Sequence, residues 1–260
     1  MLNIYQELVN ITLKGELAVM ATVVSSQGSA PRKAGAKMLI KKDGTLIGTV
    51  GGGAVERRVQ EKAIELMNSG EPQILNFDLS GTKKEEPMIC GGQMTVFMEP
   101  VLPPETLYLF GAGHISRSTA PVAKMLGFHI VVIDPRPEQN NSNRFPDADS
   151  LVVEDYASAF SKLNINVDSY IVILTPGHVS DEQCLEFAVG TGAKYVGMIG
   201  SKKKVREIKE HLSLKGVSQQ RLDGIYSPIG LDVNAESPEE IAVSILAEII
   251  KVRRSLQVTN

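Results

Sequence analysis

The run TLYLFGAGHIS, residues 106–116, decides the fold. Thr106 to Phe110 are strand formers, Gly111-Ala112-Gly113 makes a tight turn, and an amphipathic stretch of helix length opens at His114. A second apolar strand, HIVVID, ends on Asp134, 21 residues past Gly113. In a βαβ unit of this kind the first glycine permits the turn. The second lets backbone approach a phosphate at the helix N-terminus, and the acid accepts hydrogen bonds from a ribose. The third glycine of that pattern is replaced by Ser116, where close helix-to-strand packing is expected. The run therefore reads either as a nucleotide site, with NAD(P) or another nucleotide as cofactor, or as a bare βα turn.

Outward from this unit the grammar repeats. TLYLF, HIVVID, SLVV, YIVIL and KYVGMI are short apolar runs separated by amphipathic stretches. Near-continuous apolar strands alternating with helices predict a parallel sheet covered on both faces, so residues 106–260 read as a Rossmann-like, doubly wound α/β domain. Its last helix is marked at SPEEIAVSILAEIIKVRR, with Ser237 as N-cap, Pro238 at the first helical position and Glu240 completing a capping box. Upstream, MEPVLPPETL carries Pro100, Pro103 and Pro104, each lacking a backbone donor, so no regular element is expected to continue through it. Residues 101–105 are read as a Pro-rich linker and residues 1–100 as a smaller N-terminal α+β domain. In that domain LAVMATVVSS, AKMLIKKDGTLIGTV, PQILNFDLS and QMTVFMEP are strand-like and mixed or antiparallel. Asp43-Gly44 marks a hairpin, and residues 2–13 and 55–67 carry helical spacing.

Composition narrows the function classes. With 260 residues, 43% hydrophobic and 22% charged, the chain has the make-up of an ordinary globular protein. A net charge of -3 with interspersed signs supplies no basic footprint, so neither nucleic acid nor an anionic membrane is an expected partner. MLNIYQELVN shows no signal-peptide pattern and no run reaches spanning length, which predicts a cytoplasmic protein. Two cysteines and four histidines make neither a disulfide framework nor a zinc-ligand spacing.

Several residues can carry chemistry. Arg136 and Arg144 follow Asp134 in a turn-rich segment, where two guanidiniums either bind an anion bidentately or sit in a solvated loop. TPGHVSD places His178 and Asp181 just past a strand's C-terminal end, where open α/β sheets put their ligands; His178 reads as acid, base or ligand contact, or as a capping histidine. His129 and His211 read as structural. In the N-terminal domain GTVGGGAVE runs a strand into Gly51, Gly52 and Gly53 and then a helix. This is either a tight turn or a set of amides converging on an oxyanion, which Glu56 in the first helical turn would oppose. Arg32, in the glycine-containing loop of residues 27–35, can add positive charge, so the two loops are candidates for one site. Cys90 lies in MICGG beside two glycines, as a thiolate for sulfur or soft-metal chemistry or as a small core hydrophobe. Cys184 reads as core.

Taken together, GSAPRKAGAKMLI, GTVGGGAVE, MICGG, LYLFGAGHIS, VIDPRPE with NRFPDAD, KYVGMIGSKKK and SPIGLDVNAESPEEIAVSILAEII resemble the xanthine dehydrogenase accessory factor family, XdhC/CoxI. The resemblance spans most of the chain. It implies an accessory domain followed by a Rossmann domain that binds molybdenum cofactor (molybdopterin) and delivers it, sulfurated, to apo xanthine dehydrogenase or a related molybdenum hydroxylase of purine catabolism. A cysteine desulfurase is the second implied partner, and dimers are expected. The family pattern points to Arg32, Gly51, Gly52, Gly53, Glu56 and Cys90, then Gly111, Gly113, His114, Asp134, Arg136 and His178, with Cys90 as a contact to the molybdenum centre. Pro87 departs from the pattern ahead of Met88, and TPGHVSD is a loose version of the family's string. With no assembled nucleophile-base pair, the chain reads more as a cofactor-carrying chaperone than as a stand-alone enzyme. The competing readings are an NAD(P)-dependent oxidoreductase and a nucleotide-sensing regulatory module.

Overall fold

In the computed structural model, which describes residues 2–79 and 91–255, helix α1 (Leu2–Lys14) leads into strand β1 (Ala18–Gln27). There follow β2 (Lys37–Lys41), β3 (Leu46–Gly48), α2 (Gly53–Ser69), β4 (Gln73–Asp78) and β5 (Gln93–Val101). The strands pair antiparallel in the order β3-β2-β1-β5-β4. Alternation along β1 explains why both faces are covered. Val19, Ala21 and Val23 pack with Val55, Val59, Ala63 and Leu66 of α2, while Ala18 and Met20 pack with Ile4 and Ile11 of α1. The β2–β3 hairpin turns at Asp43-Gly44 as its sequence requires: Gly44 has φ 85°, and the Thr45 amide donates to Asp43 Oδ1 at 2.9 Å.

Strand β5 runs one residue past the QMTVFMEP string, through Pro100 to Val101, with Pro100 opposite Val19, and no regular element continues over residues 102–105. Strand β4 begins at Gln73, opposite Met98. Residue 100 therefore has a strand neighbour on one side only, where a missing N–H is tolerated. The chain divides into two compact units between Pro103 and Pro104.

The second unit contains β6 (Thr106–Phe110), α3 (His114–Met125), β7 (His129–Ile133), β8 (Ser150–Val152), α4 (Tyr156–Phe160) and β9 (Ser169–Ile173). It continues with α5 (His178–Val189), β10 (Tyr195–Met198), α6 (Lys202–Leu214), α7 (Gln219–Asp223) and α8 (Pro238–Ser255). All five strands are parallel, in the order β10-β9-β6-β7-β8, the doubly wound arrangement read from the sequence. Tyr108, Phe110, Ile133, Ile171 and Ile173 face the side that Cys184, Leu185, Val205 and Leu222 cover. Leu107, Leu109, Ile130, Val132 and Val172 face the side that Ala120, Ala123, Ile245 and Ile249 of α3 and α8 cover. Burial on both sides of each strand is what selects unbroken apolar runs over alternation. The capping box of α8 is formed: Glu240 N–H donates to Ser237 Oγ at 3.2 Å and Ser237 N–H to Glu240 Oε2 at 3.1 Å. The order of connection reverses between β6 and β9, and open α/β sheets have their ligand crevice outside the carboxyl ends of the strands at such a switch point.

Candidate functional site: the switch-point crevice and the glycine loops

At the crevice the β6–α3 and β9–α5 loops touch through Gly111. Its φ is 103°, and a Cβ built there would lie 2.4 Å from the Leu174 carbonyl oxygen. Only glycine lets the second loop pass so close. Gly113, the N-cap of α3, is different: its φ is -76° and a Cβ there would meet nothing within 4 Å. The chain's own packing does not demand a glycine at 113, and the space before α3 is open. The first intrahelical bond of α3 is Arg117 N–H to the Gly113 carbonyl at 3.1 Å. The amides of His114, Ile115 and Ser116 precede it, without acceptors of their own in the helix, at the positive end of its dipole. Ser116, fully buried, donates its hydroxyl to the Gly111 carbonyl, so a small residue keeps the close packing that the missing glycine would give. The His114 side chain is exposed on this first turn.

Asp134 departs from its expected role. Its carboxylate is 0% exposed and all its acceptor positions are filled. Oδ1 accepts from the Arg136 amide at 3.0 Å and from Arg136 Nε at 2.8 Å; Oδ2 accepts from the Ala112 amide at 2.8 Å and from Arg136 Nη2 at 2.6 Å. The acid thus ties the glycine turn to the end of β7 and has no lone pair left for a ribose. Arg136 turns Nε and Nη2 to this carboxylate while its side chain stays 39% exposed, and Arg144 donates Nε to the Gln139 carbonyl at 3.0 Å. Burial alone would push the Asp134 carboxyl up, but Arg136 and the Ala112 amide outweigh it and hold the group below its usual range. A carboxylate with a depressed folded-state pKa contributes stability that is complete above about pH 4 and is lost as pH falls through the folded value. Asp134→Asn is therefore expected to flatten the acid side of the stability curve, read from urea midpoints between neutral and acidic pH. Equal acid sensitivity in both proteins would contradict this role.

A second buried carboxylate organises the other side of the crevice. Asp181, 0% exposed in the first turn of α5, accepts from Thr175 Oγ1 at 2.6 Å and pairs with Lys204 Nζ from α6. Lys204 was not legible as a partner, since 23 residues separate it from Asp181. Tyr156, 6% exposed, has a hydroxyl with no hydrogen-bond partner among the described residues. Burial first, and Asp134 next, push its phenol up. Cys184 is buried, with its thiol pushed up by desolvation and by Asp181, in keeping with a core role. The His178 side chain opens α5 and is exposed.

In the first unit three glycine strings converge. Gly51 backs onto Pro31, with Cγ 2.7 Å from where a Cβ would stand, so the loop of residues 27–35 and the triple-glycine loop touch. Gly92 is closed in by the carbonyls of Gln27 and Ser29, at 2.4 and 2.8 Å from its would-be Cβ. Gly91, of the same string as Cys90, donates to the Leu79 carbonyl at 2.8 Å. Cys90 itself, with Pro87 and Met88, lies outside the described residues, and Arg32 is exposed.

Glu56 folds back onto the start of the triple-glycine loop. Glu56 Oε1 accepts from Thr49 Oγ1, and Gly51 N–H donates to that same hydroxyl oxygen at 3.2 Å. Burial raises the Glu56 carboxyl, but Thr49 and the amides of Gly52, Gly51 and Val50 lower it further, so it stays ionised. Glu56, expected to oppose an incoming anion, has its carboxylate bonded to the Thr49 hydroxyl at the entrance of the loop. Among the described residues no group of three or more His, Cys, Asp or Glu side chains is placed to hold a metal.

A profile of the XdhC Rossmann domain matches residues 107–249, and one of the XdhC and CoxI family matches residues 12–78. The chain is 33% identical to Escherichia coli YqeB over 98% of its own length, and it spans 47% of that protein, about half. It is 28% identical to a Bacillus subtilis protein described as a probable subunit of xanthine dehydrogenase, with 94% and 95% of the two chains covered. It is 22% identical to the Escherichia coli molybdenum cofactor insertion chaperone PaoD, with 94% and 86% covered. A crystal structure described as a xanthine dehydrogenase from Bacillus halodurans superposes with a TM-score of 0.54 at 27% identity, covering 96% of this chain and 95% of that one.

Proposed function

The chain belongs to the XdhC and CoxI family, and from that membership we propose that it binds molybdenum cofactor and assists its insertion into xanthine dehydrogenase or a related molybdenum hydroxylase. Similarity to PaoD, an insertion chaperone for this cofactor, and to the probable xanthine dehydrogenase subunit of Bacillus subtilis supports the reading. One observation carries it at the level of residues: the crevice keeps the open helix end at Gly113 while Asp134 is closed to a ribose. An anionic cargo with a terminal phosphate can use the amides of residues 114–116. A dinucleotide would lose the contact that usually fixes its adenosine ribose.

In this reading His114 and His178 are polar groups on the rim, and Asp134 with Arg136 shapes the turn rather than touching the cargo. Cys90 is the candidate sulfur contact to the molybdenum centre. Arg32, Gly51, Gly52, Gly53 and Glu56 form a braced loop assembly in the N-terminal unit. Sulfuration by a partner cysteine desulfurase, a homodimeric state, a cytoplasmic location and a place in purine catabolism complete the proposal. The domain limits proposed are 1–100 and 106–260.

The test offers molybdenum cofactor, released anaerobically from a donor enzyme, to wild type and to Cys90→Ala, and then adds apo xanthine dehydrogenase. Wild type should retain the cofactor and raise dehydrogenase activity, whereas Cys90→Ala should protect it less well. Saturable NADH binding with no cofactor retention would replace this reading with the oxidoreductase or sensor.

A further inference from the structure

A groove of about 560 Å³ runs along the outer side of α6, between it and the residues from α7 to Pro228. It shares no residue with the crevice. Its floor is apolar: Val205 is 6% and Leu222 1% exposed. Its wall carries Lys202 and Lys209, seven residues apart on one helix. Seven residues advance a helix by about 10.5 Å and return it to within ~20° of the same azimuth, so the two ammonium groups flank one stripe. Neither lysine takes part in an ion pair within 4 Å among the described residues. The wall's acid, Glu210, pairs weakly with Arg206 at 3.7 Å, both side chains being about 70% exposed. At the far end Leu214 stands 87% exposed.

We infer that this groove is a docking site for an acidic amphipathic helix of a protein partner, with carboxylates seven residues apart meeting Lys202 and Lys209 and apolar side chains between them resting on Val205 and Leu222. Charge selects the occupant: two unpaired cations at helical spacing beside an apolar floor complement a helix that repeats acid, apolar and acid at the same period. Shape agrees with charge. Small-molecule pockets enclose most of their ligand, whereas this groove is open along α6, which is about 20 Å long. Lys209, partly buried on that floor, has its ammonium pushed down by desolvation against the opposing pull of Asp223, so an arriving carboxylate gains a poorly hydrated partner.

The probe is a fluorescein-labelled, end-capped helical peptide with Glu at i and i+7 and Leu at i+3 and i+4, titrated by anisotropy against the full chain. Saturable binding in the micromolar range is expected, weakened about tenfold in K202E/K209E and by a similar factor when the two Glu are Gln. Added salt should weaken the wild-type complex. Both lysines lie on the groove wall rather than in the core, so a retained circular dichroism spectrum separates lost docking from lost folding. No saturation up to ~100 µM, equal binding of the Gln peptide, or equal binding by K202E/K209E overturns the inference. Binding of anilinonaphthalenesulfonate that the peptide cannot displace overturns it too and assigns the groove to a small apolar anion. None of these outcomes bears on cargo binding.

Discussion

Gly111→Ala is expected to destabilise the second unit by on the order of 4 kcal/mol, since it combines a residue held at φ 103° with a Cβ placed 2.4 Å from a backbone carbonyl. Backbone is the obstacle, so no side-chain rotamer relieves it, and the β9–α5 loop must move away from the turn. The fall should be seen as an earlier urea midpoint by circular dichroism. Gly113→Ala, two residues on, is the contrast. Its φ of -76° suits any residue and the space around it is empty, so stability should change by less than about 1 kcal/mol, the cost of a poorer N-cap. If anionic cargo uses the helix end, retention of molybdenum cofactor by Gly113→Ala should nonetheless drop about tenfold. A large stability loss at 113, or none at 111, would sink this division between a glycine the fold needs and one the site needs.

Asp181→Ala should cost about 3–5 kcal/mol, because it strands the Lys204 ammonium, 16% exposed, with no compensating charge and leaves the Thr175 hydroxyl only the longer bond to the Gly177 carbonyl at 3.4 Å. A buried ion pair is costly to break and far less costly to replace whole. The double variant Asp181→Leu with Lys204→Met should therefore regain most of the loss, with a coupling energy of about 2 kcal/mol or more in a double-mutant cycle. Additive losses would show that the two side chains stabilise the fold independently.

The sequence carried the architecture because its signals are local. Five unbroken apolar runs, the Asp43-Gly44 turn and the Ser237–Glu240 capping box each specify their element within a few residues, and each is found in the structure. Why the strand tolerates Pro100 was not legible, because that depends on where the neighbouring strand begins, a fact recorded at Gln73 rather than near residue 100. The site was legible as strings but not as hydrogen bonds. Gly111 could be assigned to a tight turn, yet that the β9 loop is what presses on it follows only from the strand order. Asp134 matched a ribose-binding position by spacing. Nothing in the spacing says that Arg136 and Ala112 consume its acceptors. Tyr156 and Lys204 gave no signal, since each takes its place from a tertiary neighbour on another element.

The bond between Glu56 and Thr49 ties the first turn of α2 to the chain entering the triple-glycine loop. A carboxylate fixed on the first turn of a helix meets the Thr49 hydroxyl at an effective concentration that freely diffusing phosphate cannot match. Changes in ambient phosphate or sulfate should therefore leave this contact untouched. In a phosphate-rich medium the start of this loop is therefore kept by the protein's own side chain.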